Sequence, residues 1–235
     1  YIKEHGYSRH LYEFKDEYAN MPVDVQKDEE KGLYYVQKEK KRLYFRKSTP
    51  AKKIQKYYRA LSMEQDRRSP HHYFNSVKEV TGKVFVDVGC AEGYSSLEII
   101  EEAKHVYLFE QDEQWLEAIR ATFEPWQDKV TIVQKYVSDH NSSREQTLDD
   151  FFNNQTNEHL FLKMDIEGAE RHALAGCNNL FQNCQKLDFA ICTYHLRDDE
   201  EVISAFLDKH NCTYINQKGF FRHKIRSVVM RGSKK

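Results

Sequence analysis

Long apolar runs are absent from this 235-residue sequence. No stretch approaches the roughly 18 to 20 uncharged apolar residues that span a bilayer as a helix, so no membrane span is expected. A basic-then-apolar leader with a cleavage site is also missing, and the chain opens at Tyr1 rather than Met, which leaves residues upstream an open question. Cysteine is sparse and unpatterned. The five thiols, Cys90, Cys177, Cys184, Cys192 and Cys212, are odd in number and lack the C-x-x-C spacing of zinc ribbons and redox motifs, which fits idle thiols in a reducing cytoplasm. There is no internal repeat or low-complexity tract. Net charge is nearly absent too, at −1, but it hides an asymmetry of +6 over residues 1 to 70 against −7 over the remainder. A chain that is not basic as a whole gives little support to a nucleic-acid partner.

What is present is enough apolar residue, 40%, to build one sizeable core. The first thirty residues show no sustained period and read as two short helices or loops. GLYYVQKEKKRLYFRK, residues 32 to 47, reads as a β-hairpin. AKKIQKYYRALSMEQDRR places Ile54, Tyr57, Tyr58 and Leu61 near helical spacing, with Thr49 as the expected N-cap and Pro50 in the first turn. The Lys, Arg and Tyr interleaved here read as a solvated face rather than a nucleic-acid surface. From residue 82 strands and helices alternate. VFVDVG, HVYLFE, VTIVQKYVS, LFLKMD and LDFAICTYH read as strands, with one or two more in FFRHKIRSVVMRG. YSSLEIIEEA, DEQWLEAIRATFEPW, TLDDFFNN, AERHALAGCNNLFQN and DDEEVISAFLDKHN read as helices between them. Apolar strands separated by amphipathic helices mean an α/β fold with a mostly parallel sheet covered on both faces, which binds ligands at the carboxyl ends of its strands.

The turn VFVDVGCAEGYSS is the first such strand end. Its spacing, Asp87-x-Gly89-x-x-x-Gly93, departs from the G-x-G-x-x-G of dinucleotide sites, and Glu92 sits inside it. A carboxylate there repels a pyrophosphate but holds the ammonium of S-adenosylmethionine. Tyr94 and Ser95 follow at the helix start. Glu110, with Gln111 after it, ends the second strand, roughly twenty residues beyond the turn, where an acid accepts hydrogen bonds from ribose hydroxyls. Ser138 and Asp139 end the third strand and are expected near the adenine. The plain alternatives are that Asp87 caps a helix and that Glu110 is an exposed strand end.

KMDIEGAE, followed by an Ala-Leu-x-Gly helix, joins VFVDVGCAEGYSS, HVYLFEQDEQWLEA and TLDDFF in a pattern that resembles the FkbM family of S-adenosylmethionine-dependent methyltransferases, over about residues 80 to 180. The family's usual turn is closer to D-x-G-A-N-x-G; Cys90, Ala91 and Glu92 stand there in this chain. The resemblance implies a Rossmann-like class I methyltransferase fold with a seven-stranded sheet and helices on both faces. It also implies methyl transfer to a hydroxyl of a sugar or other small metabolite. YYRALSMEQDRRSPHHY and AICTYHLRDDE look like a branch associated with polysaccharide synthesis. Residues 1 to 75 are then a helical and hairpin cap, and residues 76 to 235 the methyltransferase domain.

A hydroxyl acceptor needs its proton removed. Asp165 ends the fourth strand and is expected to serve both the cofactor and the chemistry; His195 ends the fifth and is expected as the base. Glu167 and Glu170 read as favourable charge at the next helix start. A divalent metal is the less favoured reading: Asp165 with His195 or Glu167 offers a partial Mg²⁺ site. The Asp pair that some related O-methyltransferases place after the fifth strand is replaced by Tyr194-His195, and Asp198-Asp199 read as the start of a helix. Arg67, Arg68, His71 and His72 either meet an anionic substrate such as a sugar phosphate or form a solvated linker. Replacing Gly89 or Glu110 is expected to weaken cofactor binding and leave the fold largely intact. The rivals are an N-methyltransferase on a small metabolite, a nicotinamide oxidoreductase and a non-catalytic RNA-binding protein. Oligomeric state is not readable.

Overall fold

A computed structural model describes residues 12–153, 158–221 and 224–234. After a short helix α1 (Lys15–Ala19), strands β1 (Val25–Asp28), β2 (Leu33–Lys38) and β3 (Lys41–Tyr44) form an antiparallel sheet, followed by helix α2 (Ala51–Glu64). The hairpin expected over residues 32 to 47 is β2 and β3, and β1 adds a strand that its polar sequence VQKD does not announce. Helix α2 is capped at Pro50, not Thr49, with no side-chain hydrogen bond at the cap. The first eleven residues, part of the expected helical cap, lie outside the described residues.

The main sheet contains β4 (Val84–Val88), β5 (His105–Phe109), β6 (Val130–Val133), β9 (His159–Met164), β10 (Lys186–Cys192), β11 (Thr213–Phe221) and β12 (Lys224–Lys234), in the spatial order β11-β12-β10-β9-β4-β5-β6. β10, β9, β4, β5 and β6 pair in parallel, β12 is antiparallel to both of its neighbours, and so β11 runs with the other five. Helices α3 (Tyr94–Ile99), α4 (Glu113–Phe123), α5 (Leu148–Phe151), α6 (Glu170–Ala175), α7 (Asn178–Asn183) and α8 (Asp199–Lys209) link the strands. This is the expected α/β sheet of seven strands.

Alternation along the strands sorts side chains between two apolar layers. In β4, Phe85 faces one layer while Val84, Val86 and Val88 face the other. The first layer also takes Leu97, Ile119 and Phe123 from α3 and α4, together with Leu33, Leu43, Phe45 and Ile54 from the N-terminal segment. All four of those N-terminal residues are almost wholly buried, each burial stabilising by about 1.5 to 3 kcal/mol. The N-terminal segment therefore shares a core with the sheet it covers. The second layer holds Leu160, Leu162, Leu174, Phe181, Ile203 and Leu207.

Three segments differ from the sequence reading. VTIVQKYVS breaks after Val133, and Tyr136–Val137 (β7) pairs instead with Glu145–Gln146 (β8) in a separate two-stranded sheet. The helix read over residues 169 to 183 divides into α6 and α7 around Gly176, where a Cβ would stand 2.1 Å from the carbonyl oxygen of Ser138. β11 begins at Thr213, earlier than FFRHKIRSVVMRG suggested. Residues 213 to 220 include none that is buried, because β11 is the edge of the sheet, so the apolar signal of a strand is missing there.

Candidate active site

The strand tips of β4, β5 and β9 open into a cleft of 580 Å³, roofed by α2. Asp87 in β4 stands in register with Lys163 in β9. Both are buried, with Lys163 Nζ 2.8 Å from Asp87 Oδ1 and donating to the Gly89 carbonyl at 2.7 Å. Asp87 Oδ2 accepts from the Ser96 hydroxyl at 2.6 Å, so the side chain braces α3 through a side chain rather than capping its backbone. Burial opposes the Lys163 charge, but Asp87 and then Asp165 outweigh it and hold the ammonium above its ordinary pKa. Asp87 thus reaches the cleft with its charge already matched. Lys163 was not foreseen, although a lysine inside the apolar run LFLKMD is the signal of a buried ion pair.

Gly89 follows with φ +77°, and a Cβ there would lie 2.2 Å from the Asp165 carbonyl oxygen. The glycine lets the β4 and β9 tips touch, so the expectation that its replacement spares the fold is corrected. Glu110 at the tip of β5 accepts the backbone N–H groups of Ala91 and Asp112, at 3.0 and 2.8 Å, which ties it to the glycine turn. It is half-buried and lines the cleft with Gln111. Glu92 is buried and accepts the Tyr57 hydroxyl at 2.8 Å; burial pushes its pKa up to about 7. Tyr94 and Ser95 also line the cleft.

At the other end stands Asp165. Its Oδ2 accepts the Tyr73 hydroxyl at 2.7 Å, and its Oδ1 lies 3.5 Å from His195 Nε2. His195 Nδ1 is 2.9 Å from Oε1 of Glu170, whose two oxygens accept the backbone N–H groups of Ile166 and Gly168. Burial works against the His195 charge, but Glu170 foremost, then Asp165 and Glu167, raise its pKa above the ordinary value. Glu170 is fully buried, so its reading as simple helix-start charge is corrected: it fixes the imidazole. Asp165 and Tyr194 line the cleft, whereas His195 stands behind them.

Not every expected residue meets the cleft. Ser138 and Asp139 are not among its lining residues; Asp139 turns to His140 and His172 at the surface, and Lys135, Tyr136 and Val137 line the wall instead. The strand break after Val133 is the reason. Gly93 packs against Phe123 and is likewise absent from the lining. The proposed anion-binding group is largely engaged elsewhere. Arg68 holds Glu17 through two nitrogens and also Asp66, and His72 meets the Arg231 guanidinium at 2.9 Å. His71 is buried against Tyr12 and Tyr194. Conversely, Arg46, Tyr57, Leu61, Glu64, Gln65 and Tyr73 of the N-terminal segment do line the cleft.

Residues 87–215, more than half of the chain, match the methyltransferase FkbM domain. The chain belongs to the FkbM methyltransferase family. The matched domain has the fold of solved methyltransferase structures. One is the methyltransferase FkbM from Methylobacillus flagellatus KT (TM-score 0.51, 18% identity), which aligns with 78% of this chain. The chain spans 55% of the length of that protein. Another is magnesium protoporphyrin IX methyltransferase from Synechocystis PCC 6803, solved with bound S-adenosylmethionine (TM-score 0.50, 13% identity, 80% of this chain and 86% of that one). At these identities the likeness is one of fold. No curated protein matches the FkbM chain described here. Among the described residues no helix is long and apolar enough to cross a membrane.

Proposed function

We propose that this FkbM chain transfers a methyl group to a hydroxyl of a saccharide, in a polysaccharide or related small-molecule pathway in the cytoplasm. The observation that carries the reading is that Asp165 faces the same 580 Å³ cleft as Glu92 and Glu110. Cofactor acids and a proton acceptor thereby share one chamber.

The chain's residues fit S-adenosylmethionine. Glu92, poised to ionise near neutral pH, offers a carboxylate to an ammonium group. Each oxygen of Glu110 takes one backbone N–H and keeps a lone pair for a ribose hydroxyl. Gly89 brings the backbone close, and Gln111 and Tyr136 extend the wall. When bound, the cofactor supplies a methyl group already activated by its sulfonium. The protein's task is then alignment and proton removal.

Asp165 is the proton acceptor that faces the cleft. Tyr73 holds one of its oxygens, and His195, fixed by Glu170, stands behind the other. His195 acts here as a positioning residue rather than as the base itself. Aromatic faces of Tyr57, Tyr73, Trp115 and Tyr194 beside the polar ends of Glu64 and Gln65 suit a ring bearing hydroxyls. The test is incubation with S-adenosylmethionine and a panel of neutral sugars, nucleotide sugars and small amines, read by mass spectrometry. Methylation of a sugar hydroxyl, lost in Asp165→Asn with cofactor affinity retained, supports the reading; methylation of amines alone overturns it.

A further inference from the structure

The group around His195 is more than a hydrogen-bonded imidazole. Ligand-type atoms of Asp165, Glu170 and His195 lie within 4.8 Å of one another, the single such group of three among the described residues. The His195 side chain is 8% exposed, and neither of its ring nitrogens nor Asp165 Oδ1 has a hydrogen-bond partner among the described residues.

Distance decides what belongs between them. Nδ1 stands 2.9 Å from Glu170 Oε1, so in a neutral ring with its proton on that nitrogen the Nε2 lone pair faces two carboxylates, Asp165 Oδ1 at 3.5 Å and Glu167 Oε2 at 3.7 Å. Lone pair against anion is repulsive. A proton on Nε2 would draw the pair to the roughly 2.7 to 3.2 Å of a hydrogen bond. Two ligands each about 2.1 Å from one ion, at roughly 90 to 110° to each other, stand about 3.0 to 3.4 Å apart, close to what is found. Three carboxylates also surround this one imidazole, and the nearby Lys163 is paired with Asp87. A histidine donating one nitrogen to a carboxylate and offering the other to a cation is the usual arrangement of a metal-binding imidazole.

We propose that His195 Nε2 and Asp165 Oδ1, with Glu167 as a third ligand, bind one divalent transition-metal cation, and that Glu170 orients the imidazole. The mixed nitrogen and oxygen set favours Mn²⁺, Co²⁺ or Zn²⁺ over Mg²⁺. This rests on the proposed hydroxyl methylation for its purpose, since a Lewis acid at the cleft wall lowers the pKa of an acceptor hydroxyl. Binding itself is independent of that purpose.

The chain, dialysed against chelator, is titrated with Mn²⁺ and followed by electron paramagnetic resonance, and with Co²⁺ followed by its visible absorption. Stoichiometric binding is expected. His195→Ala and Asp165→Asn should abolish it, Glu170→Gln should weaken it roughly 10- to 100-fold, and Glu29→Gln, on the exposed β1–β2 turn, should leave it unchanged. Circular dichroism identifies any variant that fails to fold; Asp165→Asn and Glu167→Gln carry the test should His195→Ala do so. Absence of stoichiometric binding, or binding equal in folded His195 and Asp165 variants, overturns the proposal. Methyl transfer that survives chelation with no Mn²⁺ binding removes the cation site and leaves the transfer standing. Ligand-dependent binding without transfer to any saccharide does the reverse.

Discussion

Tyr57 of α2 donates its hydroxyl to the buried carboxylate of Glu92 at 2.8 Å, linking the N-terminal segment to the glycine turn. Burial alone would drive this carboxylate neutral; the Tyr57 bond partly restores its charge, and the balance leaves a pKa of about 7. Because that value lies above the ordinary 4.5, the group's contribution to stability is fully present below pH 4.5 and lost as pH rises through about 7. Glu92→Gln removes this dependence. The variant and the parent should show equal stability to urea at pH 4.5, and at pH 8 the variant should be more stable by about 3 kcal/mol or less. Parallel profiles across that window would exclude a titrating Glu92.

Gly89→Ala should damage the fold as well as the site. A Cβ placed 2.2 Å from the Asp165 carbonyl must separate the β4 and β9 tips. Gly82 has a similar φ of +71° but open space around it, which isolates the backbone term. Gly82→Ala should cost about 1 to 2 kcal/mol, and Gly89→Ala clearly more, read from the two melting temperatures. Equal losses would mean that the contact with Asp165 is unimportant.

Lys163→Met strands the Asp87 carboxylate in a buried place. Removing one partner of such a pair costs about 3 to 5 kcal/mol. Adding Asp87→Asn should recover part of the loss, because the uncompensated charge goes with it. A double variant whose loss equals the sum of the single losses, in denaturant titrations, would show that the two side chains do not interact.

Much of this was readable beforehand because the chemistry lies at strand ends. Asp87, Glu110 and Asp165 each close an apolar run, and parallel strands bring those ends together whatever the loops do. Residues whose neighbours come from distant sequence were harder to place. Glu170 looks like ordinary helix-start charge until β10 brings His195 beside it. Ser138 and Asp139 depended on one strand continuing past Val133, and β11 gave no apolar alternation because it is the exposed edge. Arg68 and His72 looked free in a linker but meet Glu17 and Arg231, at separations in sequence that no local pattern reveals.

Isothermal titration with S-adenosylmethionine and with NAD is the most direct measurement of whether the acid-lined strand tips select a cationic methyl donor. Stoichiometric binding of S-adenosylmethionine, weakened at least roughly tenfold by Glu110→Ala, which removes charge-assisted hydrogen bonds worth about 1.5 to 3 kcal/mol each, is predicted, with no heat from NAD. Binding of NAD in its place, or S-adenosylmethionine affinity unchanged in Glu110→Ala, would contradict it.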